Sequence, residues 1–84
     1  MKLFGLTFGF IKDEALFYPL SNDEEEIDRV AIRSEELMRQ VLPKGLGSMK
    51  IVGTEKQLNL RVEYDPNETT AEKIDAWVKE NKVI

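Results

Sequence analysis

The stretch MKIVGTEKQLNLRVEY, residues 49–64, decides the fold of this chain, because its large apolar side chains recur at every second position. A period of two is typical of β-strands that have one buried and one solvent-facing side. The polar residues Glu55-Lys56-Gln57 interrupt the pattern in the middle. We therefore predict two half-buried strands joined as an antiparallel hairpin.

A helix is predicted before this hairpin. Residues 21–26 combine cap-forming and acidic side chains, and Pro43, Gly45 and Gly47 follow the segment as helix-ending residues. The side chains at helical spacing between these signals are Ile27, Val30, Ala31, Ser34, Leu37, Met38 and Val41. The acidic first turn complements the positive end of the helix dipole, which supports a helix start at this point.

A second helix is predicted after the hairpin. Residues 65–68 form a turn sequence, and Thr69 with Glu72 matches a capping box. The apolar stripe of this helix consists of Ala71, Ile74, Trp77 and Val78. The final residues 82–84 then offer a last short strand.

The N-terminal residues carry two further extended segments. In residues 2–11, Phe4, Leu6, Phe8 and Phe10 alternate with small residues, which predicts a first strand. We interpret residues 12–15 as a turn and residues 16–18, closed by Pro19, as a short edge strand. The pattern leaves open whether these two segments pair with each other.

The order of elements predicts an α+β protein of one domain, residues 1–84. It is the order of a ferredoxin-like split βαβ sandwich, in which an antiparallel sheet carries two helices on one face. An extra N-terminal hairpin strand is compatible with that order. On this fold the face without helices would present Thr7, Lys50, Val52, Asn59, Arg61 and Glu63.

Composition excludes several function classes. The 84 residues contain no cysteine and no histidine, so the commonest nucleophilic, acid–base and transition-metal chemistries lack their side chains. A net charge of −4 disfavours nucleic acid as a partner. The apolar run near the N-terminus is too short to span a membrane. We expect a cytoplasmic protein with no cofactor, no bound metal and no enzymatic activity.

The C-terminal half resembles heavy-metal-associated domains, the copper-chaperone-type modules. Its matching residues are Tyr64-Asp65-Pro66, Thr69-Thr70, Ile74, Ala76 and Trp77. The resemblance implies a ferredoxin-like fold. That family binds its metal through a G-M-T-C-x-x-C run, whose nearest counterpart here is residues 5–11, with Phe8 and Ile11 in place of the two cysteines. The resemblance therefore implies the fold without the metal site.

These features predict a small protein-interaction or regulatory module, with a protein partner or a second copy of the chain as its ligand. The candidate contact residues are Leu16, Phe17, Tyr18, Asp23, Glu24, Glu25, Glu26 and Arg61. One alternative is an acidic inhibitor that imitates nucleic acid through Asp13, Glu14 and the acids of residues 23–26. Another is a small-ligand protein that uses the glycine face of the first strand, at Gly5 and Gly9.

Overall fold

Three strands and two helices form the part of the chain that the structure describes. The computed structural model describes residues 13–40, 42–54 and 56–84. In chain order the elements are strand β1 (Glu14–Leu20), helix α1 (Glu24–Met38), strand β2 (Leu46–Gly53), strand β3 (Leu58–Tyr64) and helix α2 (Ala71–Glu80). The predicted α+β class is confirmed.

The central strand of the described sheet is β3, which pairs antiparallel with β1 on one side and with β2 on the other. The predicted hairpin is confirmed, with Met49 opposite Val62. Thr54 and Gln57 exchange two backbone hydrogen bonds of 3.0 and 3.2 Å at its closed end. The outer strands β1 and β2 consequently run parallel to each other.

The core lies on one face of this sheet. Leu60, Val62 and Tyr64 alternate along β3 and are buried there. Both helices add side chains to the same cluster, including Val30 and Leu37 from α1 and Ile74 and Val78 from α2. Within the described residues, both helices therefore pack on the face that carries Leu60, and the opposite side is called the helix-free face below.

Helix α1 begins where the acidic run predicts it. The Asp23 carboxylate accepts a 3.0 Å hydrogen bond from the Glu25 backbone N–H and caps the helix. The helix ends at Met38, and the predicted helical position Val41 lies outside the described residues. Gly47 belongs to β2 rather than to the linker that we predicted, at a register shift between Leu46 and Ser48.

Helix α2 begins one residue later than its capping signal predicts. The cap is Thr70, whose hydroxyl accepts a 3.3 Å bond from the Lys73 backbone N–H. Thr69 belongs to the preceding turn instead, because its backbone N–H donates to the Asp65 carbonyl at 3.1 Å. The predicted box of Thr69 and Glu72 is therefore wrong, although the predicted helix is present.

The predicted final strand at residues 82–84 is also wrong. Lys82 takes a left-handed conformation, with φ at 57°, directly after α2. The Val83 backbone N–H then donates to the Val78 carbonyl at 3.2 Å, and the Lys82 N–H donates to the Lys79 carbonyl at 3.1 Å. This pair of bonds is a Schellman cap, in which Val83 turns inward and is fully buried.

Strand β1 begins earlier than predicted. Glu14 and Ala15 belong to the strand and not to a turn. Pro19 lies within β1 opposite Asn59 rather than after the strand. Within the described sheet β1 is an outer strand, and such a strand tolerates proline because one side of its backbone needs no ladder hydrogen bonds. The predicted first strand, residues 2–11, lies outside the described residues.

Lys82→Gly is expected to stabilise the protein by about 1 kcal/mol, because glycine adopts the left-handed conformation without the steric cost of a Cβ atom. Urea unfolding followed by Trp77 fluorescence measures the change. Glu80→Gly is the matched control in the last turn of α2, where glycine should destabilise by about 1 kcal/mol. A lower urea midpoint for Lys82→Gly would contradict the capping assignment.

Candidate docking surface

The helix-free face is built from three rows of side chains that cross the sheet. Paired residues on neighbouring strands project to the same side, so the backbone register assigns each row. The rows are Ala15, Glu63 and Ser48; Phe17, Arg61 and Lys50; and Pro19, Asn59 and Val52. The described outward positions that the sequence predicts on β2 and β3 are thus found together on this face.

Phe17 is the main apolar side chain of the middle row. It is 56% exposed, whereas its neighbours along β1, Leu16 and Tyr18, are half-buried on the helix side. Arg61 lies directly opposite Phe17 in the sheet, and Lys50 lies opposite Arg61. The structure therefore brings two of the predicted contact residues, Phe17 and Arg61, side by side on rigid strands.

A polar network holds Arg61 in place. Its guanidinium lies 2.8 Å from the Glu63 carboxylate, and the Ser48 hydroxyl donates to the same carboxylate at 2.9 Å. The Arg61 hydrogen bond, followed by that of Ser48, holds the pKa of Glu63 below its usual range. Glu63 therefore stays ionised at neutral pH and fixes the direction of the arginine.

Leu16 and Tyr18 do not belong to this surface. They lie on the helix side of β1, where both pack against the core. The Tyr18 hydroxyl donates a 2.6 Å hydrogen bond to the Asp75 carboxylate on α2. Burial, followed by this bond to a carboxylate, raises the pKa of Tyr18, and the same bond lowers the pKa of Asp75. Tyr18 thus joins β1 to α2.

Two of the four acidic residues at positions 23–26 make contacts at the start of α1, and the other two are exposed. Asp23 caps α1, and Glu26 accepts hydrogen bonds from the backbone and the hydroxyl of Ser21. The hydroxyl bond is the main reason that the pKa of Glu26 is lowered. Glu24 and Glu25 are exposed on the first turn. Half of the predicted acidic contact residues therefore serve the start of the helix.

Three members of the helix-free face appear neither in the predicted outward face nor among the predicted contact residues. Ala15 was assigned to a turn, and Pro19 was assigned to the end of a strand. Neither residue was therefore included in the alternation of inward and outward side chains. Ser48 was missed because the predicted strand began only at Met49. Extending the alternation outward from Phe17 and from Lys50 would have identified all three.

A long concavity of about 660 Å³ runs along the exposed side of α1. Arginines in this region serve the end of α2: the Arg33 guanidinium donates to the Asn81 carbonyl at 2.9 Å, and Arg29 reaches the Lys82 carbonyl at 3.4 Å. These contacts complement the negative end of the α2 dipole. The two arginines of this concavity are therefore explained by the packing of α1 against the end of α2.

The described residues contain no cluster of three or more aspartate or glutamate side chains placed to hold a metal ion. Neither described helix has the length and apolar character needed to cross a membrane. The chain matches no protein-family model, no curated protein and no solved structure.

Tyr18→Phe is expected to destabilise the protein by about 1 kcal/mol at neutral pH, because it removes one hydrogen bond to a charged group. The pKa of Asp75 is lowered in the fold. Its contribution is therefore complete above the unfolded pKa of a carboxyl group and disappears as pH falls through the folded pKa. The difference between the two proteins should consequently shrink in acid.

In alkali, Tyr18 makes the stability depend on pH in the direction opposite to that of Asp75. Its pKa is raised in the fold, so its stabilisation is complete below the unfolded tyrosine pKa and is lost as pH rises above it. Urea midpoints of wild type and Tyr18→Phe at pH 3, 7 and 10.5 measure both effects. An equal difference between the two proteins at all three pH values would contradict the assigned bond.

Proposed function

We propose that this chain is a small, non-catalytic protein-interaction module that binds a protein partner through its helix-free face. The proposed anchor is Phe17, and the proposed polar contact beside it is Arg61. The exposure of Phe17 carries the proposal, since 56% of this large aromatic residue faces solvent halfway along the outer strand β1, directly beside Arg61 of the central strand. Aromatic and arginine side chains at the centre of a surface are the residues that most often dominate binding energy.

The fold proposed for this module is ferredoxin-like, as in the copper-chaperone-type domains that its C-terminal half resembles. Support comes from the strand order β1-β3-β2, in which a helix connects the two parallel outer strands and β3 lies antiparallel between them. This is the arrangement of a split βαβ unit. Such a sheet leaves one face available for a partner when both helices occupy the other.

The charge of the surface favours a partner that is apolar at its centre and acidic at its rim. The described helix-free face carries two cations, Lys50 and Arg61, and one carboxylate, Glu63. The whole chain, by contrast, has a net charge of −4. A partner with an acidic rim is attracted to this face and repelled by the acidic start of α1, which orients the encounter.

Phe17→Ala is expected to reduce capture of the partner at least tenfold, because truncation of a central aromatic anchor commonly costs 2 kcal/mol or more. The measurement is a tagged pull-down from cells of the source organism, with quantitative mass spectrometry at low and physiological salt. Arg61→Gln should reduce capture several-fold, and most at low salt, since it removes a charge that attracts the acidic rim of the partner.

Ile32→Ala provides the matched control. Ile32 is 58% exposed on α1, so its truncation removes a comparable amount of exposed apolar surface at a different place. A protein retained by wild type and by Ile32→Ala but lost from Phe17→Ala supports the proposal. Equal loss from both variants, or a partner released only by substitution of Glu24 and Glu25, contradicts it.

Sedimentation of the purified chain separates a heterologous partner from a second copy. If the occupant is a second copy, wild type and Ile32→Ala form dimers and Phe17→Ala remains a monomer at the same concentration. A monomeric wild type that still captures a Phe17-dependent protein assigns the face to a different chain. A dimer that persists in Phe17→Ala places self-association elsewhere.

A further inference from the structure

A second concave region lies between α1 and β2, on the helix side of the sheet. This α1–β2 groove has a volume of about 300 Å³, and its apolar walls are formed by Ala31, Ile32 and Met38 of α1 and by Met49 and Ile51 of β2. Small-molecule sites begin at about this volume and combine apolar walls with a few polar groups. Methionine side chains adapt their shape to an occupant more readily than branched ones do.

One wall residue carries a polar group without a partner. Ser34 is only 5% exposed, and its hydroxyl makes no hydrogen bond within the described residues. A serine inside a helix commonly bonds to the carbonyl four residues earlier, but Ser34 does not. Alanine at this position would avoid the unpaired hydroxyl and would favour the helix more strongly. The fold itself therefore does not explain the serine.

We propose that the α1–β2 groove binds a small neutral amphiphile, an aliphatic body with one hydroxyl or carbonyl oxygen that pairs with Ser34. At roughly 30 Å³ for each water-sized group, the groove accommodates about eight to ten heavy atoms. The aliphatic body packs against Met38, Met49 and Ile51. A χ1 rotation of Ser34, which takes picoseconds to nanoseconds, turns the hydroxyl toward the occupant.

The charges at the groove select a neutral head group. Glu35 and Lys50 both line it, one from each wall. A carboxylate head would be attracted by Lys50 but repelled by Glu35, and an ammonium head would meet the reverse, so neither gains a net attraction that offsets the cost of desolvating its charge. A hydroxyl or carbonyl avoids both repulsions and still bonds to the serine, because a serine hydroxyl both donates and accepts.

The probe that we choose is 1-heptanol, which has seven carbons and one oxygen. It is titrated into the full chain carrying ¹³C-labelled methionine methyl groups, because Met38 and Met49 lie in opposite walls of the groove. Both methyl signals are expected to shift and to saturate together. Ser34→Ala should weaken heptanol binding about tenfold, the usual consequence of losing one buried hydrogen bond.

Two variants distinguish a binding site from a general effect of substitution. Ser48→Ala removes a hydroxyl that already bonds to Glu63 on the helix-free face, so heptanol affinity should stay at the wild-type value. Ala31→Leu fills the groove from an exposed helix position without changing Ser34, and it should abolish binding. Without heptanol, Ser34→Ala should have a higher urea midpoint than wild type, because it removes a buried hydroxyl that has no hydrogen-bond partner within the described residues. That result would show that the variant is folded.

Two results would overturn the proposal. Methyl shifts that grow linearly with heptanol and never saturate identify an adventitious additive only. Equal affinity in wild type and Ser34→Ala, or binding that survives in Ala31→Leu, places the heptanol outside the groove. Lys50 is the residue that the groove shares with the helix-free face, and none of these variants changes it, so neither result alters the outcome expected for Phe17→Ala.

Discussion

The pairing of β3 with both of its neighbours is the constraint on which the rest of the structure depends. Leu60 and Val62 are fully buried on one side of this strand, while Arg61 projects from the other. A slip of one residue would place Arg61 in the core and expose both apolar side chains. The same register therefore specifies the core and the helix-free face, and neither can change without the other.

Polar contacts add to the buried side chains that hold the helices in place. Tyr18 bonds to Asp75 and connects β1 to α2, whereas Arg33 bonds to the last turn of α2 from α1. The Schellman cap then directs Val83 back into the core. A chain of 84 residues has a small interior, so contacts of this kind add to the limited stabilisation that its core provides.

The hairpin and both helices could be predicted because their periodicity extends over many residues. The errors occur where a single residue decides between structures. Thr69 and Thr70 are equivalent in sequence, and only the backbone bond from Thr69 to Asp65 identifies Thr70 as the cap. Lys82 gives no sequence signal of left-handed backbone, because glycine is the usual residue there. Ser34 fits the helical period, and its unpaired hydroxyl becomes visible only in three dimensions.

Three adjacent residues of β1 were predicted to lie on one contact surface, but the strand places them on two different faces. Leu16, Phe17 and Tyr18 are adjacent in sequence, yet consecutive residues of a strand project to opposite faces, so Phe17 alone joins Arg61 on the helix-free face. Both side chains stand on hydrogen-bonded strands, and Glu63 fixes the guanidinium. A partner that binds there has little freedom of the Arg61 side chain left to restrict. Because ordering side chains is a substantial cost of association, a small surface of this kind can bind more tightly than its area alone suggests.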